Sequence, residues 1–543
     1  MELVTTILGG LGVFLLGMKL LSENLRSAAG EALRMLLERF TGGKFSSVAT
    51  GTLFTAFVQS SSATTLATIG FVSAGLLTFT QAVGVIFGAN LGTTATSWLV
   101  AILGLKVSIS AFAYPMVGLG ALASLLTRGR KAHLGGAVAG FGLIFIGIDI
   151  LQVGMADLAE QIDLTAIDAE GLTGQLILVG IGFVMTVLMQ SSSAAIAATL
   201  TALFAGAVDL PQAAALVIGQ SVGTTATAAL AAIGASLAAR RTAAAHIVFN
   251  VVTAVVALLT LPLFLMAHGA WIDAGNALAD ATAIAIFHTC FKVLGVALLL
   301  PVLDPFSAAI YRIVPGTDPQ YAAGLDKSAV AIPAVAVDAA KNAQHQMYQG
   351  LVDYARQGLA NPENVTRQTE ELDALKTGLA RCRDFLDQIE TDPAQTGDHG
   401  RHLAVLHTLD HLERLHRRLS VGVGVFRTVV DEDRLERCRQ LLLESIEEAS
   451  TVGTDTDVAS RLETIAAKLA DERRRRRHRL LKSAATGDPA PTELDELLRS
   501  LQWCDRVGAH LWRAGHYLEG GEFDPDVDHV DDGANSVPED GRV

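Results

Sequence analysis

One stretch of this chain is written twice, and that constrains its fold more than any other feature. Displaced by 131 positions, Gly51–Thr96 aligns with Gly182–Thr227 without a gap, and 19 of the 46 positions are identical. Gln59-Ser60-Ser61-Ser62 falls on Gln190-Ser191-Ser192-Ser193, Ala74-Gly75 on Ala205-Gly206, and Gln81-Ala82 on Gln212-Ala213. A second motif, Gly88-Ala-Asn90-Leu-Gly92-Thr93-Thr94-Ala-Thr96, falls on Gly219-Gln-Ser221-Val-Gly223-Thr224-Thr225-Ala-Thr227. Upstream, a displacement of 130 places Gly10, Gly12 and Gly17 on Gly140, Gly142 and Gly147. The unit therefore runs from about residue 10 to 127 and again from about 140 to 258. Two motifs held in one register are not low-complexity coincidence, so a duplicated structural unit is expected.

The duplicated region is apolar. Runs such as Ile177–Leu188 and Val251–Met266 lie before Tyr311, whereas Arg, Glu, Asp and His dominate after it and no later run is long enough to span a bilayer. With 50% hydrophobic residues and a mean hydropathy of +0.40, the chain reads as all-α: a transmembrane domain over 1–310, a linker over 311–330, a helical domain over 331–518 and an acidic, disordered tail over 519–543. Cys290, Cys382, Cys438 and Cys504 form no metal-ligand spacing, as expected of a reducing cytosol. The N-terminus lacks a basic segment and a cleavage site, so its apolar stretch is expected to be retained. A net charge of −14 argues against a nucleic-acid partner.

Loop charges orient the chain, because Lys and Arg collect on the cytoplasmic side. Arg26, Arg34, Arg39 and Lys44 are read as one inside loop, Arg128, Arg130 and Lys131 as a second, and Arg240-Arg241 as a third. Ala156–Glu170 carries five acids and no Lys or Arg, and with the loop around Asp273 and Asp280 is read as outside. An extra helix over about 282–303 then brings the chain inside. The first unit begins outside and the second inside, so the units are antiparallel: an inverted-topology repeat, as in secondary transporters.

Parity also bears on Phe45–Leu105, which must cross an odd number of times. About 15 residues flank Gln59 on each side, short of the ~20 that span. A re-entrant hairpin with its tip at Gln59–Ser62, then a crossing from Ala82 to Leu105, satisfies both limits. The copy enters from the other face with its tip at Gln190–Ser193. A lone membrane serine is usually a packing residue bonded to its own i−4 carbonyl; two matched clusters ask for more. Gly88 and Gly92 are expected to weaken the following helix, as Gly219 and Gly223 do in the copy. Helix breaks would place amides, which bind an oxyanion, beside carbonyls, which bind a small cation. Neither motif contains Lys or Arg, so a bound anion would need a co-bound cation.

These motifs are recognisable. Duplicated Gln-Ser-Ser-Ser, each followed by Gly-x-x-x-Gly-Thr-Thr, resembles the sodium-dependent inorganic phosphate cotransporter family, bacterial members and animal type II carriers alike, over residues 5–305. The resemblance implies a secondary active transporter coupling sodium to phosphate by alternating access, with lipid, phosphate and sodium as partners, no cofactor besides the coupling ion, and no catalytic residues. It implies phosphate contacts from Gln59, Ser60, Ser61, Ser62, Gln190, Ser191, Ser192 and Ser193. It implies sodium contacts from Thr64, Thr65, Asn90, Thr93, Thr94, Ser221, Thr224 and Thr225. Ser221 stands where the family repeats its Asn, so sodium stoichiometry is not carried over. His246-Ile-Val-Phe249-Asn250 matches a further family segment, whereas His288-Thr-Cys-Phe291-Lys292 ends in Lys. An intramembrane Lys is a functional candidate by default, against a paired or snorkelling structural role; the two histidines read as satisfied core residues. Lys19, Lys106 and Asp149 read as interfacial anchors.

After residue 331 six helices are expected, over 331–359, 363–390, 398–422, 428–452, 456–485 and 492–518, as two three-helix units. Leu409-Asp-His-Leu-Glu413-Arg414 and Trp503-Cys-Asp505-Arg506 resemble helix signatures of PhoU-like phosphate-regulatory domains, although Arg417 and Ala509 replace the second carboxylates of a metal site. Arg473–Arg477 reads as a solvated basic face, with anionic lipid or an acidic partner as the alternative. Two other classes are the alternatives: a membrane-anchored phosphate sensor acting through the PhoU-like domain, and an intramembrane serine hydrolase, which leaves the symmetric duplication unexplained. A plasma (inner) membrane location with the C-terminal domain cytoplasmic follows. Transport direction and oligomeric state stay open.

Overall fold

The computed structural model describes residues 2–521 apart from 74–76, 105–109, 162–166, 168, 170, 234, 275–278, 317–320, 323, 327–328, 331–332, 392–395, 456 and 487; side chains of 29–40, 73, 103–104, 110–111, 160–161, 231, 396 and 398 are also left undescribed. Lys106, the Ala74-Gly75 pair, Asp163, Asp168, Glu170 and the acidic tail beyond Gly521 lie outside these residues. The described chain is helical and divides into two compact units, 1–317 with 326–335, and 318–325 with 336–543.

In the first unit the helices are α1 (Glu2–Phe40), α2 (Lys44–Val58), α3 (Ser61–Ser73), α4 (Phe79–Gly92), α5 (Thr94–Trp98) running into a π-turn (Leu99–Gly104), α6 (Ser110–Leu126), α7 (Arg130–Gln161), α8 (Leu172–Met189), α9 (Ser192–Phe204), α10 (Leu210–Ala231), α11 (Leu237–Asp273), α12 (Asp280–Leu299) and α13 (Leu303–Ile313). Among the described residues, seven helical segments are long and apolar enough to cross a membrane. α1 runs unbroken through Arg26, Arg34 and Arg39, so the first expected inside loop is a helix. Lys19 is not at a helix end either; it lies within α1, 3.9 Å from Glu23. Asp149 likewise sits inside α7.

The repeat is visible contact by contact. A Cβ on Gly88 would fall 2.0 Å from the Val48 carbonyl oxygen, and one on Gly51 2.1 Å from that of Val85. In the copy, Gly219 meets the Val179 carbonyl at 1.9 Å and Gly182 that of Leu216 at 2.1 Å. The pairs α2–α4 and α8–α10 thus touch backbone to backbone, which only glycine permits. α1 and α7 cross in the same manner at Gly17 and Gly140, where a Cβ would lie 2.7 Å from the Ile144 nitrogen and 2.5 Å from the Leu21 nitrogen respectively. Gln81 and Gln212 close capping boxes with Thr78 and Asp209, and their side chains also reach the carbonyls of Thr41 (2.9 Å) and Ile167 (3.0 Å).

These contacts correct the expected weakening at the second motif. α10 continues unbroken through Gly219, Gly223 and Thr224, and in the first copy the helix only steps at Thr93, which keeps helical angles (φ −63°, ψ −21°). The glycines serve close packing, which recovers more than their helix propensity costs. The true breaks lie at Gln59 (φ 56°) and Gln190 (φ 51°), left-handed residues that end α2 and α8 before α3 and α9 begin. α3 and α9 are 13 residues each, too short to span.

The C-terminal unit comprises α14 (Pro333–Ala360, its first residues in the other unit), α15 (Glu363–Arg367), α16 (Thr369–Leu386), α17 (Thr396–Leu419), α18 (Val423–Asp431), α19 (Glu436–Ala449), α20 (Val458–Ala484) and α21 (Pro491–Leu518). Two expected helices are each divided: 363–390 between α15 and α16, and 428–452 at Glu432. Leu412, Val507, Leu511 and Phe426 are fully buried, and Tyr348 donates to the Leu511 carbonyl at 2.9 Å. Arg473, first of the basic run, pairs with Asp505 (3.2 Å), while Arg475 pairs with Asp471 and Arg476 with Glu472. Burial pushes the Asp505 carboxyl above the usual range although Arg473 opposes it. Among the described residues no group of three His, Cys, Asp or Glu could hold a metal ion.

If the glycine contacts hold the two helix pairs, Gly219→Val destabilises the detergent-solubilised protein by about 2–3 kcal/mol or more. Gly180→Val, whose Cβ meets nothing within 4 Å, leaves the melting midpoint in place. Equal midpoints for the two variants would contradict the packing role.

Candidate functional site

The break at each Gln starts a new helix at the serines. Ser60 and Ser191 cap α3 and α9, their hydroxyls accepting from the amides of Ala63 and Ala194 at 3.2 Å. Ser61 and Ser192 are the first residues of those helices. Both line one small cavity of about 10 Å³, room for about one water, together with Asn90, Thr93, Ile196, Ser221, Thr224, His288 and Lys292. Two helix N-termini, with their partial positive charge, thus converge on one small polar space.

Thr96 ties the tips together. Its hydroxyl donates to Gln59 Oε1 at 2.8 Å and lies 3.3 Å from the Ser193 hydroxyl. The Gln59 and Gln190 amide nitrogens fold back onto the carbonyls of Ala56 (2.5 Å) and Val187 (2.6 Å). Neighbouring Ser97 bonds His288 Nδ1 at 2.8 Å, and Trp98 donates to Thr289 at 3.0 Å, fixing α5 against α12.

Six of the sixteen residues expected to bind ligand therefore meet in the cavity: Ser61, Ser192, Asn90, Thr93, Ser221 and Thr224. The rest surround it or point elsewhere. Ser62 and Gln190 are exposed. Thr64 is buried against the Thr55 hydroxyl at 2.7 Å, and the Thr65 hydroxyl is buried with no hydrogen-bond partner among the described residues. Thr93, Thr94, Thr224 and Thr225 each donate to a carbonyl three residues back, which uses their hydroxyl protons rather than their oxygen lone pairs; of the four, Thr93 and Thr224 line the cavity.

The far wall was not assigned from the motifs. Lys292 is 1% exposed, and its ammonium donates to Asn250 Oδ1 at 2.7 Å and Asn90 Oδ1 at 3.3 Å. Each Asn spends its amide on the carbonyl four residues back, Ile86 or His246, which aims its oxygen at the lysine. Ser221 donates to the same Asn250 oxygen at 3.4 Å. Lys292 is therefore buried and paired with two amide oxygens rather than snorkelling, and it brings to the cavity a basic group that the duplicated motifs lack. The signal was present in the segment ending at Lys292, matched to that ending at Asn250. His246 departs from expectation: it is buried, and among the described residues neither ring nitrogen has a hydrogen-bond partner.

A model of the Na+/Pi-cotransporter family matches residues 13–153 and 162–288. The Bacillus subtilis protein named "Uncharacterized protein YqeW" is 33% identical over 306 residues, 56% of this chain and 95% of that protein. "Putative inorganic phosphate export protein YjbB" of Escherichia coli K12 is 26% identical over 386 residues, 69% of each chain. Its Salmonella typhimurium namesake is 29% identical over 254 residues, 46% of each chain. No solved structure gives a significant match. Each matched segment contains one of the two Gln-Ser-Ser-Ser runs, the helices are those of a multi-pass membrane protein, and the family description and the export names are those of transporters rather than enzymes: the chain belongs to the Na+/Pi-cotransporter family.

Proposed function

We propose that the protein is a secondary active transporter that moves inorganic phosphate across the membrane coupled to sodium. The observation that carries this reading is the meeting of Ser61 and Ser192, first residues of α3 and α9, in one cavity with Lys292. Helix N-termini, hydroxyls and an ammonium all favour a tetrahedral oxyanion. Phosphate sits between the tips, and sodium takes hydroxyl and carbonyl oxygens around Thr64, Thr65, Asn90, Thr93, Thr94, Ser221, Thr224 and Thr225. Gln59 and Gln190 hold the tips in shape, with Ser60, Ser62, Ser191 and Ser193 bordering the anion. The two copies form inverted-topology repeats, and rocking of one against the other alternates access to the site. The family name and the export names of the Escherichia coli and Salmonella relatives support phosphate as cargo.

The protein resides in the plasma membrane with its C-terminal unit cytoplasmic, where a PhoU-like bundle regulates transport in response to cytosolic phosphate or a partner. A chain ending after Val335, which keeps the whole first unit, retains phosphate flux but loses its response to phosphate on the side of the C-terminal unit. Unchanged regulation in that truncation would refute the regulatory role.

Replacing Ser61 or Ser192 with Leu fills the cavity and removes a hydroxyl. Each variant is expected to lower sodium-dependent uptake of labelled phosphate into proteoliposomes by at least about tenfold, the loss of one charge-assisted hydrogen bond or more. Wild-type flux in both would sink the site assignment.

A further inference from the structure

Lys292 has no place in the duplicated motifs, yet it stands at the cavity they form. Its ammonium has three N–H donors, and the two oxygens it reaches, on Asn250 and Asn90, belong to neutral amides. Among the described residues no carboxylate pairs with it, although it is almost wholly buried. A buried lysine without a counter-ion is costly to keep charged, and an intramembrane ionisable group of this kind is a functional candidate.

The matched segments of this chain show what that task replaces. His246-Ile-Val-Phe249-Asn250 ends in an amide, and His288-Thr-Cys-Phe291-Lys292 ends in an ammonium. Asn90 has Ser221 at the matched position of the second copy. The amide oxygens of Asn90 and Asn250 are ligands of the kind that hold a small hard cation, and here both are directed at the lysine nitrogen. The Lys292 nitrogen lies within reach of both oxygens, where a cation of that kind could otherwise bind. The rest of the wall offers hydroxyls of Ser61 and Ser192 at two helix N-termini, so the cavity lacks negative charge on every described side.

We propose that Lys292 is a built-in counter-cation of the transported anion: it contacts phosphate directly and stands in for one cation that would otherwise travel with it. This rests on the phosphate-transport reading above. Lys292 stays with the protein through the cycle, so the mobile load is one unit of charge more negative than it would be with a carried cation in the same place. An inside-negative membrane potential therefore favours outward movement of phosphate more strongly than in a carrier whose compensating cations all travel.

The test uses the full chain, labelled inorganic phosphate, and three variants judged folded by gel filtration. Lys292→Arg keeps the charge and retains phosphate binding. Lys292→Met loses at least about tenfold in affinity at fixed sodium, the scale of one buried charged partner. Lys292→Asn restores an amide, binds phosphate weakly at low sodium and recovers as sodium is raised, with a steeper sodium dependence than the wild type. In liposomes under a tenfold potassium gradient clamped with valinomycin, the phosphate ratio at flux balance then differs by about tenfold between wild type and Lys292→Asn, one unit of charge per phosphate. Wild-type affinity and sodium dependence in Lys292→Met overturn the proposal; if that variant does not fold, the same result in Lys292→Asn overturns it. A wild type that neither binds nor moves phosphate overturns the transport reading itself, and this inference falls with it. Phosphate binding that is equal in wild type and variants overturns only the role of Lys292.

Discussion

Everything at the site depends on backbones pressed against one another without side chains between them. Gly51 and Gly88 bring α2 and α4 together, and Gly182 and Gly219 do so for α8 and α10. A methyl at any of the four would lie within about 2.1 Å of a carbonyl oxygen, so the register of each pair is set by geometry that other residues cannot reproduce. Packing of this kind supplies helix association where the hydrophobic effect is weak, since lipid is as apolar as the protein. With those pairs fixed, the chain can turn at Gln59 and Gln190 and start α3 and α9 at one shared cavity.

The cavity's chemistry follows from what is spent elsewhere. Ser60 and Ser191 cap helices, and the threonines of the second motif donate to carbonyls of their own helices. Their oxygens keep lone pairs that suit a cation, while the opposed helix N-termini and Lys292 suit an anion. Thr96 links both tips through one hydroxyl, so displacement of either tip disturbs the other. His288 reaches the same region through Ser97, which couples α12 to the segment between the tips.

The breaks at Gln59 and Gln190 were legible because they are local: a polar run in apolar sequence, repeated in register; the expectation that both flanks are too short to span fails in the second copy, where α8 (Leu172–Met189) is long and apolar enough to cross a membrane. The role of the glycines was not. Read along the chain, Gly219 and Gly223 look like weak points in a helix, since propensity is a local property; their partners lie on α8, dozens of residues upstream. Gln81 and Gln212 matched in the alignment, but their capping boxes became evident only with the helix starts in place. Arg26, Arg34 and Arg39 suggested a loop by charge, whereas α1 continues through them. Lys292 was noticed as an oddity, but its partner Asn90 is 202 residues away, a pairing that no spacing rule can reach.

The central claim is that phosphate crosses the membrane through the site between the two tips, coupled to sodium. The most direct measurement is labelled phosphate flux in liposomes containing the purified full chain, with a sodium gradient imposed in either direction. The account predicts that phosphate is driven along the sodium gradient and that its direction reverses with that gradient when the potential is clamped. Phosphate flux indifferent to sodium on both sides, or no flux above protein-free liposomes, would contradict it.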